Sequence, residues 1–401
     1  MNLDASATLA RGLHNREQPG PARAVAVVLT FNWLTWRAWQ LYWAIATSPA
    51  VMRSRWQCQR RQGSPDDHRR HFLPKVFLAT TALGLARAAI ADGAWSVSRV
   101  LPDQQVTCLA ADPLRPNVIY AGTQGDGVLR SDDAGLTWRP AGSPGQIVKA
   151  LAASPTEPGV LYAGTKPAQL FLSRDGGAHW EEMAGFRRVR AYWWFSPAEP
   201  PYTAYVQAIA LSPADPSIIL VGIEAGAVLR STDGGHTWQG HRAGALRDCH
   251  SLTFHAKHGD WVYEGGGTGA GAACSRDGGH TWRQPRAGLD RHYGWAVAAD
   301  PAQPEVWYAS LSTGALKAHT DGQAQAYIFR SAGGAPWQKI GAGLPQPLTD
   351  MPYALLTDPT APGHIYAGLS NGAVWHSGNH GDAWQPMPFN LGGIHRAMIM
   401  Q

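Results

Sequence analysis

The chain has 401 residues, of which 45 are Gly and 29 are Pro, a composition that suits many short strands and turns and disfavours a long helical protein. Its 34 Lys and Arg residues against 29 Asp and Glu leave a formal charge of only +5, without the concentrated basic run expected of a dedicated nucleic-acid-binding protein. The four cysteines include no closely spaced pair and indicate neither a zinc site nor a disulfide framework. We therefore expect no metal, no cofactor and a reducing, cytoplasmic compartment.

Residues 1–74 differ from the rest of the sequence. An apolar, tryptophan-containing stretch over residues 22–52 is interrupted by Arg37, and a polar, basic stretch follows it. A membrane-spanning helix needs about 20 apolar residues, and a charge near its centre is costly. We therefore predict an N-terminal extension that is poorly ordered or partly helical. Membrane anchoring or export through residues 22–52 is the alternative.

Residues 75–401 are predicted to form a separate domain because one motif recurs through them. The complete copies of Ser-x-Asp-x-Gly-x-x-Trp are residues 131–138, 173–180, 231–238 and 275–282. Residues 377–384 keep the pattern with Asn379 in place of Asp, and residues 331–337 are a degenerate copy. The Asp or Asn side chain is predicted to accept hydrogen bonds from amides of its own tight turn, where Gly supplies a positive φ.

These copies resemble the Asp-box (BNR) repeat of sialidases, xyloglucan-cleaving glycosidases, sortilin-type receptors and photosystem II assembly factors. In those families the motif lies in the turn between the two outer strands of a propeller blade. The resemblance therefore implies an all-β propeller, and it implies a structural role for the Asp residues. It says little about function, because one fold hosts many activities.

The spacing of the repeats predicts how many blades the propeller has. Six complete repeats, each with four predicted strands, span residues 106–390. Residues 394–400 indicate one further inner strand, and residues 75–101 indicate three outer strands. Pairing these two segments leaves no long unpaired edge, so the sequence predicts seven four-stranded blades, closed by a C-terminal inner strand and three N-terminal strands. A six-bladed ring with loose ends is the alternative.

Binding residues are expected on the propeller face whose loops precede the innermost strands, because loops on rigid scaffolds commonly carry function. The third repeat has a long aromatic and basic loop there, residues 186–202, and such clusters are typical of recognition surfaces. Stacking the inner strands also predicts a ring of polar or aromatic side chains, two positions before a shared apolar residue. The ring residues are Thr107, Lys149, Gln207, His250, Trp295, Tyr353 and Arg396.

The predicted ligand-binding set combines loop and ring residues. Lys149 and Arg396 are suitable donors to an anionic group, and Trp295 is a suitable platform. The alternative is a ring whose members only satisfy one another inside a wet channel. The second insertion adds Lys317, His319 and Asp321 to the same face. The full set is Lys149, Arg190, Tyr192, Trp193, Trp194, Gln207, Arg247, His250, Arg291, His292, Trp295, Tyr353, His395 and Arg396.

This set predicts a non-catalytic, monomeric module that binds a protein, a peptide or a small anionic or carbohydrate ligand. Nucleic acid and membrane are not expected as partners. The alternative is a sialidase-like glycoside hydrolase, which the motif resemblance implies.

Sialidases need an arginine triad, a Tyr–Glu nucleophile pair and an Asp acid. The candidate residues are Arg190, Arg247, Arg291 and Arg396 for the triad, Tyr293 for the nucleophile and Asp248 for the acid. For ordinary glycoside hydrolysis, Asp248 pairs with Asp290 or Glu224. No Glu is evident beside Tyr293, so the sequence favours the binding module.

Overall fold

The computed structural model describes residues 75–189, 194–196 and 198–401. The extension predicted for residues 1–74 lies outside these described residues. Within them, no helix has both the length and the apolar character that a bilayer span requires.

Seven antiparallel sheets follow one another along the chain and form the blades of a β-propeller. The innermost strands of neighbouring blades contact one another around a central channel. The prediction of an all-β, seven-bladed ring is confirmed, and the six-bladed alternative is wrong. The described residues contain two short helices, α1 (Ala184–Val189) and α2 (Ala315–Ala318).

Each blade is a run of strands ordered from the channel outward. The closing blade contains β26 (Met398–Met400), β1 (Phe77–Thr81), β2 (Gly84–Ala91) and β3 (Ala94–Val100). Blade 1 contains β4 (Val106–Ala111), β5 (Ile119–Thr123), β6 (Val128–Ser131) and β7 (Arg139–Pro140). Blade 2 contains β8 (Ile147–Ala153), β9 (Leu161–Lys166), β10 (Leu170–Ser173) and β11 (Glu181–Glu182).

The remaining blades follow in the same order. Blade 3 contains β12 (Val206–Leu211), β13 (Ile219–Ile223) and β14 (Val228–Ser231). Blade 4 contains β15 (Cys249–Phe254), β16 (Val262–Gly266) and β17 (Ala272–Ser275). Blade 5 contains β18 (Tyr293–Ala299), β19 (Val306–Ser312), β20 (Tyr327–Ala332) and β21 (Gln338–Ile340). Blade 6 contains β22 (Pro352–Thr357), β23 (Ile365–Leu369), β24 (Ala373–Ser377) and β25 (Gln385–Asn390).

The fourth strand is reduced to a single bridge in blades 3 and 4. Arg230 pairs with Gln239 in blade 3, and Cys274 pairs with Arg283 in blade 4. Both bridges directly follow the motif turn, so these two blades keep the four-stranded plan with a very short outer edge. A short edge exposes few unpaired backbone groups and so limits unwanted strand pairing.

The motif turns are held by the hydrogen bonds that the sequence predicts. In blade 3 the Ser231 hydroxyl donates to Asp233 Oδ1 at 2.8 Å and accepts from the Gly235 amide at 2.8 Å. Asp233 also accepts hydrogen bonds from the amide and hydroxyl of Thr237, which lower the pKa of its carboxyl to about 2. Gly235 has a φ of 89°, and Trp238 Nε1 donates to its carbonyl oxygen. The Asp side chain therefore stabilises a turn.

The ring is closed by strands from the two ends of the described propeller. β26 pairs with β1 in the register Phe77–Met400, Leu78–Ile399 and Ala79–Met398. Reciprocal backbone hydrogen bonds of 2.9 Å between Val76 and Gln401 extend the pairing at one end. At the other end, the His395 amide donates to the Thr80 carbonyl oxygen at 2.8 Å. Closure therefore pairs the edges of both terminal strands.

An aromatic cluster joins the closing blade to blade 6. Phe77 is fully buried, and its ring lies 5.7 Å from Trp95, 5.2 Å from Tyr366 and 5.5 Å from Phe389. Tyr366 and Phe389 belong to blade 6, so this cluster seals the contact between the last complete repeat and the closing blade. Large buried aromatic rings contribute strongly to such contacts.

Phe77→Ala should lower the free energy of unfolding by about 3–5 kcal/mol, because it leaves a cavity at the closing contact. Val97→Ala is the control, because Val97 is 43% exposed on the outer strand of the same blade. A change within about 0.5 kcal/mol is expected for the control. Chemical denaturation of both variants measures the difference. Equal, small losses would contradict the sealing role of Phe77.

Candidate functional site

A β-bulge interrupts the innermost strand of six blades at the level of the predicted ring. The shifts in register lie between Val106 and Cys108, Val148 and Ala150, Val206 and Ala208, Cys249 and Ser251, Gly294 and Val297, and Pro352 and Ala354. The unpaired residues include Thr107, Lys149, Gln207, His250, Trp295 and Tyr353. Bulges re-aim side chains. The ring therefore depends on these bulges, whereas the sequence prediction assumed regular alternation along the strand.

Two adjoining cavities lie at the mouth of the channel. The larger cavity has a volume of about 660 Å³, and its lining includes Tyr205, Glu224, Asp248, Trp295, His319, Tyr353 and Arg396. The smaller cavity has a volume of about 230 Å³, and it is lined by Thr107, Lys149, Lys166 and Glu199 among others. His395 and Arg396 line both cavities. The closing segment before β26 therefore forms their common wall.

A carboxylate from the loop of the third repeat lies among three cations in this mouth. Glu199 Oε1 is 2.5 Å from Lys149 Nζ and 3.4 Å from Lys166 Nζ, and Glu199 Oε2 is 3.2 Å from Arg396 Nη2. Lys166 Nζ also donates to the carbonyl oxygens of Glu199 and Pro200. We refer to Lys149, Lys166 and Arg396 as the cation cluster.

The electrostatics of the cation cluster favour a bound negative charge. Burial and the nearby Arg396 lower the pKa of Lys149. Burial alone would raise the pKa of Glu199, but the hydrogen bond and charge of Lys149, with Arg396 and Lys166, lower it to about 2. The Lys149 and Lys166 ammonium groups also lie over the Tyr205 ring, at 4.7 Å and 5.5 Å from its centroid. Buried cations of this kind are costly without an anion beside them.

An acidic cluster with one histidine lies on the other side of the mouth. His250 Nδ1 is 2.7 Å from the Gly294 carbonyl oxygen, and His250 Nε2 is 3.5 Å from Asp248 Oδ2 and 3.8 Å from Glu224 Oε2. Asp248 Oδ1 accepts a hydrogen bond from the Ala225 amide at 3.1 Å. Glu224 and Asp248 line the larger cavity, while the His250 side chain is buried beneath them.

The environments of these three groups move their pKa values in different directions. Burial raises the pKa of Glu224 to about 7, the His250 charge opposes this, and the Asp248 charge adds to it. Burial alone would raise the pKa of Asp248, but contact with His250 lowers it. Burial alone would lower the pKa of His250, but Asp248 and Glu224 raise it. Two carboxyl groups with separated pKa values can act as an acid and a base.

Aromatic side chains form the remaining wall of the larger cavity. The Trp295 ring lies 4.6 Å from His250 and 5.0 Å from Tyr353. His319, just after α2, bridges two hydroxyl groups, with 2.7 Å to both Tyr293 and Tyr353. Tyr293 therefore partners a histidine. Among the described residues its hydroxyl makes no hydrogen bond to a Glu, although Glu224 lines the same cavity.

The other predicted site residues lie away from these cavities or outside the described residues. Asp290, Arg291 and His292 line a separate pocket of about 130 Å³, where Arg291 Nε donates to the Gln325 carbonyl oxygen. Arg247 is exposed and lines none of the three pockets. Gln207 Nε2 donates to the His250 carbonyl oxygen at 3.4 Å.

The loop of the third repeat is only partly described. Trp194 packs against the hydrophobic core of blades 2 and 3, so this part of the loop contributes to packing. The predictions for Arg190, Tyr192 and Trp193 lie outside the described residues.

Sequence reasoning did not identify Glu199, Lys166 or Tyr205, and it named Glu224 only as a partner for Asp248. Glu199 lies in a stretch between prolines that carries no motif, and its partners are 33, 50 and 197 residues away. The available signal was Lys166 itself, a charged residue at the end of a strand that is otherwise apolar. Such a residue at the channel mouth indicates an anionic partner.

No family model matches the chain, and no curated protein matches it in sequence. Solved structures with similar folds include an ancestral GH74 enzyme, with 19% identity and a TM-score of 0.54 over 74% of this chain and 38% of that chain. The GH74 xyloglucanase from Xanthomonas campestris has 19% identity and a TM-score of 0.54 over 71% of this chain and 45% of that chain. The chain thus spans less than half the length of these two enzymes.

A third similar structure is YCF48 from Cyanidioschyzon merolae. It has 14% identity and a TM-score of 0.51 over 74% of this chain and 88% of that chain. Identities at this level show a shared propeller fold, and fold alone does not fix an activity.

Acid should weaken the contact between Glu199 and the cation cluster. Because the folded pKa of about 2 lies below the ordinary value of 4.5, the stabilisation is fully present above pH 4.5 and is lost as the pH falls through about 2. Glu199→Gln should therefore be less stable than the parent protein above pH 4.5, and this difference should shrink toward zero in acid. Urea denaturation at a series of pH values measures it. Glu181→Gln, at an exposed carboxylate, is the control. A deficit that is unchanged by pH would contradict the assignment.

Proposed function

We propose that this protein is a non-catalytic binding propeller whose channel mouth takes an anionic, carboxylate-bearing ligand. The observation that carries the proposal is the binding of Glu199 by Lys149, Lys166 and Arg396 at 2.5–3.4 Å. The cation cluster is thus already arranged around a carboxylate. A ligand carboxylate that takes the position of Glu199 meets the same donors.

The burial of the two lysines supports a role in binding. The Lys149 side chain is 4% exposed and the Lys166 side chain is 2% exposed, whereas Glu199 is 35% exposed. The cations are therefore fixed by the inner strands of blade 2, and the anion comes from a loop at the surface. A fixed pair of cations with an exchangeable anion is the arrangement expected of a receptor site.

The larger cavity supports a ligand that is more than a bare anion. Its volume of about 660 Å³ suits a small molecule or a peptide side chain with its flanking residues. Trp295 and Tyr353 line it with aromatic rings, which suit the apolar face of a sugar or a hydrocarbon chain. Arg396 belongs to both cavities and connects the two parts of the site. The partner that this lining suits is an acidic peptide or protein segment, or a small sugar acid. The cytoplasmic compartment and the monomeric state stay predictions from the sequence.

The binding test uses calorimetric titration of the full chain with N-acetylneuraminic acid and with a tetraglutamate peptide. Glu199→Gln should bind at least one of these probes more tightly than the parent protein, because it removes the internal carboxylate that competes for the cations. Arg396→Ala should weaken that binding at least tenfold, or by about 1.4 kcal/mol. Lys339→Ala is the control, because Lys339 pairs with Asp290 outside both cavities.

Failure of both variants to change the affinity would count against the proposal. If a probe binds but Glu199→Gln and Arg396→Ala leave its affinity within a factor of about two, the ligand lies elsewhere. Equal weakening by Lys339→Ala would indicate a general effect of surface charge.

The second candidate function is a glycoside hydrolase, favoured by the pairing of Glu224 and Asp248. The raised pKa of Glu224 and the lowered pKa of Asp248 suit an acid and a base. One oxygen of each group lies within 4.8 Å of the other, which leaves no room for the carboxyl separation of about 6.5–9.5 Å found in inverting enzymes and is compatible with the shorter separation of retaining enzymes. Arg396 lines the cavity without a second arginine among the described residues. An arginine triad is therefore not assembled from the described residues.

Sialosides and xyloglucan oligosaccharides with chromogenic leaving groups separate the two candidate functions. The binding proposal expects no turnover by the full chain. Hydrolysis that disappears in Asp248→Asn and Glu224→Gln, but persists in the matched variant Asp290→Asn, would establish the hydrolase. Asp290 is a suitable control because it lies in the separate pocket.

A further inference from the structure

We propose that Glu224, Asp248 and His250 form a binding site for one divalent transition-metal ion, and that Zn²⁺ fits this donor set best. One carboxylate oxygen of each acid and one ring nitrogen of the histidine lie within 4.8 Å of one another. Zn²⁺ binds imidazole nitrogen and carboxylate oxygen, usually with three protein ligands where a position is left open. The sequence predicted no metal, because these residues form no recognised spacing.

The orientation of His250 supports a ligand role for Nε2. With Nδ1 2.7 Å from the Gly294 carbonyl oxygen, Nδ1 carries the proton, since a carbonyl oxygen can only accept. In the neutral ring, Nε2 then presents its lone pair to Asp248 and Glu224. Metal-binding histidines commonly donate their other ring nitrogen to a backbone carbonyl, which fixes the tautomer.

The Glu224 carboxylate provides an independent indication. The residue is 8% exposed, and among the described residues no hydrogen-bond donor reaches its carboxylate. The His250 Nε2 atom lies 3.8 Å from the nearest Glu224 oxygen. A buried carboxylate without donors is costly, and a bound cation removes that cost. The orientation of Asp248 is fixed, because Oδ1 accepts the Ala225 amide and Oδ2 faces His250.

The distances suit a small ion after a modest shift. Ligand atoms around a tetrahedral Zn²⁺ with bonds of about 2.0–2.1 Å lie about 3.3 Å apart. The His250 Nε2 distances of 3.5 Å to Asp248 and 3.8 Å to Glu224 are close to that value. Ca²⁺ fits poorly, because it takes six to eight oxygen ligands and this cluster supplies one nitrogen.

The open position of such an ion faces the larger cavity. Glu224 and Asp248 both line that cavity, so a fourth ligand, either water or an oxygen of a bound molecule, reaches the ion from there. The metal site does not include the cation cluster. Metal binding can therefore be tested separately from the anionic ligand proposed above, and failure of one proposal does not decide the other.

The test is a metal titration of the full chain after treatment with a chelator. Co²⁺ is followed by its visible absorption, which reports coordination geometry, and Zn²⁺ is then used to displace it. We expect one equivalent of each ion, and we expect affinity to fall at least tenfold in Glu224→Gln and in His250→Gln. His376→Gln is the matched control, because His376 Nε2 lies 3.1 Å from His364 Nδ1 and this histidine pair could compete for the ion.

Two different ligand variants are used so that the test can be interpreted even if one of them does not fold. Glu224→Gln is nearly isosteric with the parent side chain and lies at the cavity wall, so we expect this variant to fold, and its thermal melt checks that. It therefore remains a usable test even if substitution of the buried His250 prevents folding. Absence of saturable binding to the parent protein would overturn the proposal. Affinity that is unchanged in folded Glu224→Gln, or lost in His376→Gln instead, would also overturn it. In those cases His250 is a buried counter-ion for the two carboxylates.

Discussion

The pairing of β26 with β1 is the interaction on which the rest of the molecule depends. It converts a row of repeats into a ring, because β26 then lies between β22 and β4, the innermost strands of blades 6 and 1. It also places Arg396, because the segment before β26 is held by Thr80, whose hydroxyl accepts from the Ala397 amide at 3.1 Å. The cation that links the two cavities is thus fixed by ring closure, so stability and binding share one constraint.

The motif turns at the rim of the propeller have a structural role, whereas the β-bulges at the channel present the residues of the candidate site. At the rim, the Asp and Ser side chains of the motif form hydrogen bonds within their own turn, as Asp233 and Ser231 illustrate. At the channel, β-bulges in the inner strands free residues such as Lys149 and Trp295 from regular pairing. Residue identity at the bulges varies from blade to blade while the turns repeat. Such asymmetry within a symmetric scaffold is where a specific site can form.

Most of the fold was predictable from the sequence, because local signals repeat. The motif, its spacing and the complementary ends determined blade number and closure, and the structure confirms both. The candidate site was only partly predictable. Stacking of repeats found Lys149 and Arg396, but the contact of both with Glu199 joins residues 50 and 197 positions apart, and no sequence motif predicts it. Likewise, Glu224 meets Asp248 and His250 only through the packing of blades 3 and 4, which no spacing in the sequence encodes.

We propose that the cation cluster binds a ligand carboxylate at the position that Glu199 occupies in the structure. The most direct measurement is a crystal structure of Glu199→Gln grown with N-acetylneuraminic acid or a tetraglutamate peptide. We expect a ligand carboxylate within hydrogen-bonding distance of Lys149, Lys166 and Arg396, with the remainder of the ligand against Trp295. A ligand bound at another face of the propeller, with the cation cluster contacting only protein groups, would contradict it.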